Sequence, residues 1–338
     1  MNTATTSNET SEVTNLKIRE LDWYERRSIP GDRQLLGSFG HVPMATSIPE
    51  FIRIAQVIAK EADHNGICGW RGQADCEWVV QSGAARRVQG PWLEHFGRDY
   101  ETVQDMLRLF GVKAARDAVV LMQGSAQHEE MVCEYERLLL NEARVNGFGH
   151  QDGRHLSDLE LLANLQHHGA ATRLLDITKN LFVALWMATT SQDPDLDNQP
   201  GVVIAFGQAP LRTISAEFAQ KKSLTEVMNS MREENRRAGY WIPSKLNLRI
   251  VAQSGFFLLS PIANQPWGTV NLRGTRVWET ELIDDPDCYF IGVAPELKAE
   301  MRDAQKYGLL PYAENTIYPD LSGFAAYHGA MRPLPYRR

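Results

Sequence analysis

Apolar residues recur at helical spacing in several stretches of the chain. Phe51, Ile54, Ala55 and Ile58 fall along one face behind Ser47-Ile48-Pro49-Glu50, which predicts a packing helix opened by a serine cap. Between residues 131 and 145, Val132, Tyr135, Leu138, Leu139 and Ala143 alternate with acids and arginines, the pattern of an amphipathic helix lying across a sheet. Ser157-Asp158-Leu159-Glu160 is a capping box ahead of Leu161, Leu162 and Leu165, and Gly169 supplies a stop. A helix of about three turns is therefore expected there, with Gln166, His167 and His168 in its last turn. Residues 181–189 are apolar at nearly every position and predict a buried helix.

Strands are expected where the runs are short and bounded by glycine. Residues 66–73 read as one, with Arg71 near its end, and residues 172–178 as another. The unbroken apolar run of residues 201–206 has central-strand character, and further strands are expected at 248–259, 277–283 and 288–293. A helix starts at Pro295 and stops at Gly308, and the charged stretch 215–237 reads as a solvent-facing helix, a lid or an insertion. The pattern describes an α/β protein with a mixed central sheet flanked by helices. Residues 1–20, mostly Thr, Ser, Asn and Glu, are expected to form a flexible tail. Residues 21–338 are expected to form a single domain with helical insertions at about 90–155 and 210–245.

Composition narrows the function classes. The chain has 338 residues, 43% of them hydrophobic, enough for a sizeable core, and its net charge of −7 argues against unspecific capture of nucleic acid or anionic membrane. A nucleic-acid substrate would need a local basic cleft. Cys68, Cys76, Cys133 and Cys288 have neither zinc-site spacing nor the density of a disulfide scaffold, so a reducing cytoplasm is expected and no metal. The N-terminus lacks the basic start and apolar run of a signal peptide, and no stretch is long enough to span a bilayer.

The common catalytic motifs are missing. There is no Gly-x-Ser-x-Gly elbow and no phosphate-binding Gly-rich Lys loop, and Gly147-Phe148-Gly149-His150-Gln151-Asp152-Gly153 has the wrong final spacing for a dinucleotide fingerprint. His128-Glu129-Glu130-Met131-Val132-Cys133 begins like a zinc-protease helix, but a cysteine stands where the second imidazole is needed, and it reads as a surface helix.

What the chain does carry is Trp70-Arg71-Gly72-Gln73 with Arg86, then Gln166-His167-His168-Gly169 through Thr172-Arg173-Leu174-Leu175-Asp176-Ile177-Thr178, and Ala184-Leu185-Trp186-Met187-Ala188. This series resembles the FRG domain, named for a Phe-Arg-Gly tripeptide whose Phe is replaced here by Trp70. The likeness continues through Arg249-Ile250-Val251-Ala252-Gln253 and ends near Tyr318-Pro319-Asp320-Leu321-Ser322-Gly323, so it runs from about Gly66 to about His328. The resemblance implies a bacterial toxin-antitoxin or anti-phage setting. Its motif order is similar to that of ADP-ribosyltransferases, which implies a core of that type, NAD as substrate, an antitoxin as partner and RNA as the favoured target.

The chemistry suits these residue types. Cleaving the nicotinamide–ribose bond of NAD builds positive charge on the sugar, so the site must hold a diphosphate, pack a ring and stabilise an oxocarbenium-like state. On the resemblance, Arg71, His167, Asp176, Thr178 and Gln253 are expected in catalytic roles, and Arg71, Gly72, Gln73, Gln166, His168, Thr172, Arg173 and Trp186 against the NAD. Arginine grips phosphate in two places where lysine cannot, and imidazole titrates near neutrality. Transferases of this kind carry a late-strand glutamate where Gln253 stands; Glu281 of Glu279-Thr280-Glu281 is the second choice for that role.

Each of these residues also has a plainer reading. Arg71 and Arg173 would serve equally in a buried ion network, Asp176 in orienting an arginine or capping a helix, and Trp186 in the core. The histidines would suit the negative end of a helix dipole, and Gln253 would satisfy buried backbone groups. Two other functions stay open at this point: a nucleotide or nucleic-acid sensor without chemistry, and a nuclease or NAD hydrolase that uses the paired histidines.

Overall fold

The computed structural model describes residues 23–62, 66–88, 125–191, 193–234, 236–243, 247–265, 267–274 and 286–328. The helices are α1 (Trp23–Arg26), α2 (Ile48–Glu61), α3 (Ser125–Val145), α4 (Asp158–His167), α5 (Leu181–Thr189), α6 (Ala216–Lys221), α7 (Leu224–Glu233), α8 (Leu248–Ala252), α9 (Pro295–Lys306), α10 (Glu314–Ile317) and α11 (Leu321–Tyr327). The strands are β1 (Arg33–Leu36), β2 (Gly40–Ala45), β3 (Ile67–Gln73), β4 (His150–Gln151), β5 (Arg154–His155), β6 (Leu175–Thr178), β7 (Gly201–Gly207) and β8 (Leu211–Ile214). They continue with β9 (Ala238–Trp241), β10 (Gly255–Leu259), β11 (Ile262–Gln265), β12 (Gly268–Val270) and β13 (Cys288–Val293).

Among the described residues, nine strands form one sheet in the order β1-β2-β13-β7-β3-β6-β10-β9-β8. The β2–β13 and β8–β9 pairs are parallel and the others antiparallel, so the sheet is mixed as expected. The apolar run at 201–206 becomes β7, buried at every position because strands flank it on both sides, α5 covers one face, and on the other its neighbour Phe290 is covered by Phe39 and Trp267. Alternation along β10 shows the two cores directly. Phe256 and Leu258 point into a large core with α2, α5 and α9, whereas Phe257 and Leu259 point into a second core with α3, α4, α6 and α7.

Several sequence expectations are redrawn. Residues 248–259 are a short helix and then a strand: the Asn247 side chain accepts from the Ile250 amide and starts α8, and Ser254, at φ 48°, turns the chain into β10. The stretch 215–237 is two helices, α6 and α7, each opened by a serine cap at Ser215 and Ser223. It is not simply solvent-facing, since Val227, Met228 and Met231 are buried in the second core. The supposed insertion at 210–245 also supplies β8 and β9, which complete one edge of the main sheet. The strand expected at 277–283, and with it Glu281, lies outside the described residues, as does the part of the first insertion between residues 89 and 124. No helix among the described residues is long and apolar enough to cross a membrane.

Candidate functional site

The site forms where two neighbouring strands part. β3 and β6 are antiparallel but share a single registered pair, Trp70 with Thr178. Beyond it the Arg71 side chain bridges the gap, its Nη1 donating to the Asp176 carbonyl at 2.9 Å and its Nε to Gln73 Oε1 at 3.4 Å. A cleft of about 390 Å3 opens above this point between α4 and α5, with α8 and α10 on its far side. That volume is within the usual range for small-molecule sites.

Gly72 is set by packing. A Cβ there would lie 1.9 Å from the Ala184 carbonyl oxygen, so only glycine lets β3 press against α5. That approach brings Trp186 and Met187 of α5 to the cleft wall beside Arg71. The α5 cap comes from Asn180, whose side-chain oxygen accepts from the amides of Phe182 and Val183.

Asp176 is oriented by a short relay. The Thr172 hydroxyl donates to Gln166 Oε1, and Gln166 Nε2 donates to Asp176 Oδ2 at 3.0 Å. The relay exists because α4 ends where its sequence signals place it: the capping box of Ser157 and Glu160 starts it, and Gly169, at φ 92°, turns the chain back toward β6. Asp176 is open to water in the cleft yet walled by protein. Desolvation raises its pKa, and the charge of Arg71, the Gln166 hydrogen bond and the charge of Arg249 only partly oppose it. Burial, and then the charge of Arg86, lower the pKa of Arg71, against the pull of Asp176 and Tyr318; the guanidinium stays charged.

His167 lies at the α4 end of the cleft, 3.4 Å from Asn247 Nδ2 through its Nδ1. Its pKa is lowered by burial first, then by Arg249 and His168, against Asp320, so the ring is neutral at pH 7. His168 is the exposed C-cap of α4 and does not line the cleft. Gln253 lines it, but its Nε2 is held by the Ile317 carbonyl at 3.2 Å.

Four further predicted residues do not line this cleft. Thr178 is buried, its hydroxyl donating to the Gln253 carbonyl and accepting from the Asn180 amide at 2.9 Å, so it ties β6 to the end of α8. Thr172 is buried behind Gln166. Arg173 is 1% exposed at its side chain and points away into an ion network with Glu136 and Glu129. Gln73 is buried; its Nε2 donates to the Trp78 carbonyl at 2.8 Å, and it lines a second cavity of about 150 Å3. Arg71, Gly72, Met187, Thr190 and Ser191 line both cavities, so Arg71 stands at their junction, with Arg86 and Trp78 in the smaller one.

The structure adds residues that motif reading assigned no role in the site. Arg249 forks onto the Asp320 carboxylate at 2.9 and 3.2 Å and lies 4.9 Å over the Tyr318 ring, which meets Trp186 edge-on at 6.0 Å. Glu314 also lines the cleft. Arg249 and Tyr318 lie in stretches that carry the resemblance, but nothing local in the sequence says that Asp320 folds Arg249 back onto the aromatic wall. Asp320 also caps α11, as a turn aspartate should.

Asp176 gives a testable sign. Because folding raises its pKa, its stabilising contribution is present below the unfolded value and is lost as pH rises through the folded one. Asp176→Asn is therefore expected to raise the melting temperature relative to wild type at pH 7, with the difference shrinking at pH 3. Paired thermal melts check this, and a lower melting temperature at pH 7 would show that Arg71 and Arg249 need the charge.

Searches of curated proteins and of solved structures returned no match to this chain. A family model does match: that of the FRG domain matches residues 67–197, the segment that contains β3, the α4 relay, β6 and α5.

Proposed function

We propose that this protein is an NAD-consuming ADP-ribosyltransferase of a bacterial defence system, acting on a macromolecule. The observation that carries the reading is the position of Arg71 at the junction of two cavities, as a ligand made of two halves around a diphosphate requires. Arg71 is held at Nη1 and Nε, which leaves its Nη2 to meet phosphate. Arg86 adds a second cation on one side and the Trp186–Tyr318 wall a surface for a ring on the other.

In this reading the nicotinamide–ribose bond breaks with its electron pair leaving on nicotinamide, and an acceptor nucleophile takes the sugar carbon. Asp176, oriented by Gln166, offers the carboxylate that faces the developing positive charge. The raised pKa of Asp176 also suits it to take the acceptor's proton as the new bond forms. Asp176 thus fills the role that Gln253 cannot, since an amide is no base. The histidine-based nuclease reading is disfavoured, because only His167 of the pair lines the cleft. A binding module without chemistry is favoured only by the fixed Gln253 amide.

The test is to incubate the purified protein with adenine-labelled NAD and separately with RNA, DNA and a protein extract, following nicotinamide release and label transfer. Transfer to one class, with RNA expected, supports the transferase and names its target. Release without transfer makes it a glycohydrolase, and neither signal removes the reading.

A further inference from the structure

His150 and His155 sit opposite each other on the hairpin of β4 and β5, away from the cleft. The turn is Asp152-Gly153, both at positive φ (51° and 75°), the chemistry of a two-residue hairpin. Leu156 donates its amide to the Gly149 carbonyl at 2.9 Å, so Gly149 and Leu156 form a hydrogen-bonded pair. Pairing alternates along an antiparallel ladder, so His150 and His155 occupy the next, non-hydrogen-bonded position, where facing side chains approach most closely.

The rings use that closeness in a particular way. Their Nε2 atoms are 3.0 Å apart while the ring centroids are 3.8 Å apart at a tilt of 48°, so the rings converge at their Nε2 edges. Without a third group, one ring must carry its proton on Nε2 and donate it to the other. Both residues are exposed, and the nearby Arg154 is already paired with Glu160 at 2.7 Å, so no cation competes for the nitrogens from that side.

The geometry points to a two-histidine chelate for a late first-row divalent cation such as zinc. Two imidazole nitrogens on a tetrahedral zinc, at about 2.0–2.1 Å each, stand about 3.3 Å apart with both lone pairs aimed at the ion, so the two exposed rings must also swing their centroids apart from the present 3.8 Å. The donating ring moves its proton from Nε2 to Nδ1, and both Nε2 lone pairs then face the ion. Water completes the coordination. The hairpin is braced for this: Arg154 holds Glu160, which belongs to the α4 capping box, so the pair is presented from the start of the helix that carries Gln166 and His167.

The experiment is calorimetric titration of zinc chloride into the untagged full chain, the His150→Ala and His155→Ala variants and, as a control for scattered surface histidines, His168→Ala. The inference expects one equivalent bound by wild type and by His168→Ala, with at least a tenfold loss of affinity in each hairpin variant. Circular dichroism should show that all four are folded. Equal affinity in wild type and both hairpin variants, or no saturable binding by wild type, overturns it. NAD turnover has no part in this readout, so the site stands or falls independently of the transferase reading.

Discussion

Glu136→Ala is expected to lower folding stability by about 3–5 kcal/mol, the usual effect of stranding one charge of a buried pair. Glu136 and Arg173 have side chains 0% and 1% exposed. The Glu136 carboxylate accepts from the Arg173 amide at 2.7 Å and from Arg173 Nε, while Arg173 Nη1 donates to Glu129 at 3.0 Å. Glu129 also accepts from the Ile262 amide at 2.7 Å, so the network ties α3 to the turn before β6 and to β11. Burial works against the Arg173 cation, but Glu136 and Glu129 outweigh it and raise its pKa; in Glu136 desolvation wins and the pKa is raised. Denaturant midpoints check the expectation. The double change Glu136→Leu with Arg173→Leu should recover much of the loss, because it leaves no stranded charge. A loss below about 1 kcal/mol in Glu136→Ala would make the network dispensable and return Arg173 to the list of candidate ligand contacts.

Arg71→Ala is expected to reduce NAD turnover by about 10²–10³-fold, the scale seen when a fixed donor to developing or transferred charge is removed. Arg71→Lys is expected to recover little, because one ammonium cannot hold the Asp176 carbonyl, Gln73 and a phosphate in the same geometry. The half-buried position at the strand gap makes retained folding the expected outcome for both, to be checked by thermal melts. Turnover unchanged in a folded Arg71→Ala protein would exclude Arg71 from the chemistry.

The legible parts of this fold and site were those whose signals are local. The capping box at Ser157 and the stop at Gly169 located α4 nearly to the residue, and with it Gln166 and His167. The apolar runs located β7, β13 and α5 because burial on all sides needs no partner-specific pattern. β8 and β9 were hidden between charged segments, since strands of four residues have weak patterns. Strands β1 and β2 were equally short of signal, as was the hairpin of β11 and β12. In the site, the motif residues Arg71, Gln166, Asp176 and Trp186 came together, whereas Thr172, Thr178 and Arg173 turned out to hold the site's frame. Strand alternation alone does not separate these two groups, because which side of a twisted strand meets the cleft depends on where β3 and β6 diverge. Arg249 and Tyr318 entered through tertiary packing and an ion pair over 71 positions of sequence.

The dinucleotide proposed for the cleft at Arg71 is put to the test by titrating NAD calorimetrically into wild-type and Arg71→Ala protein, both verified as folded. Saturable binding by wild type is expected, with at least a tenfold weaker affinity, about 1.4 kcal/mol, in the variant. Absence of binding by wild type, or equal affinity in the two proteins, would contradict it.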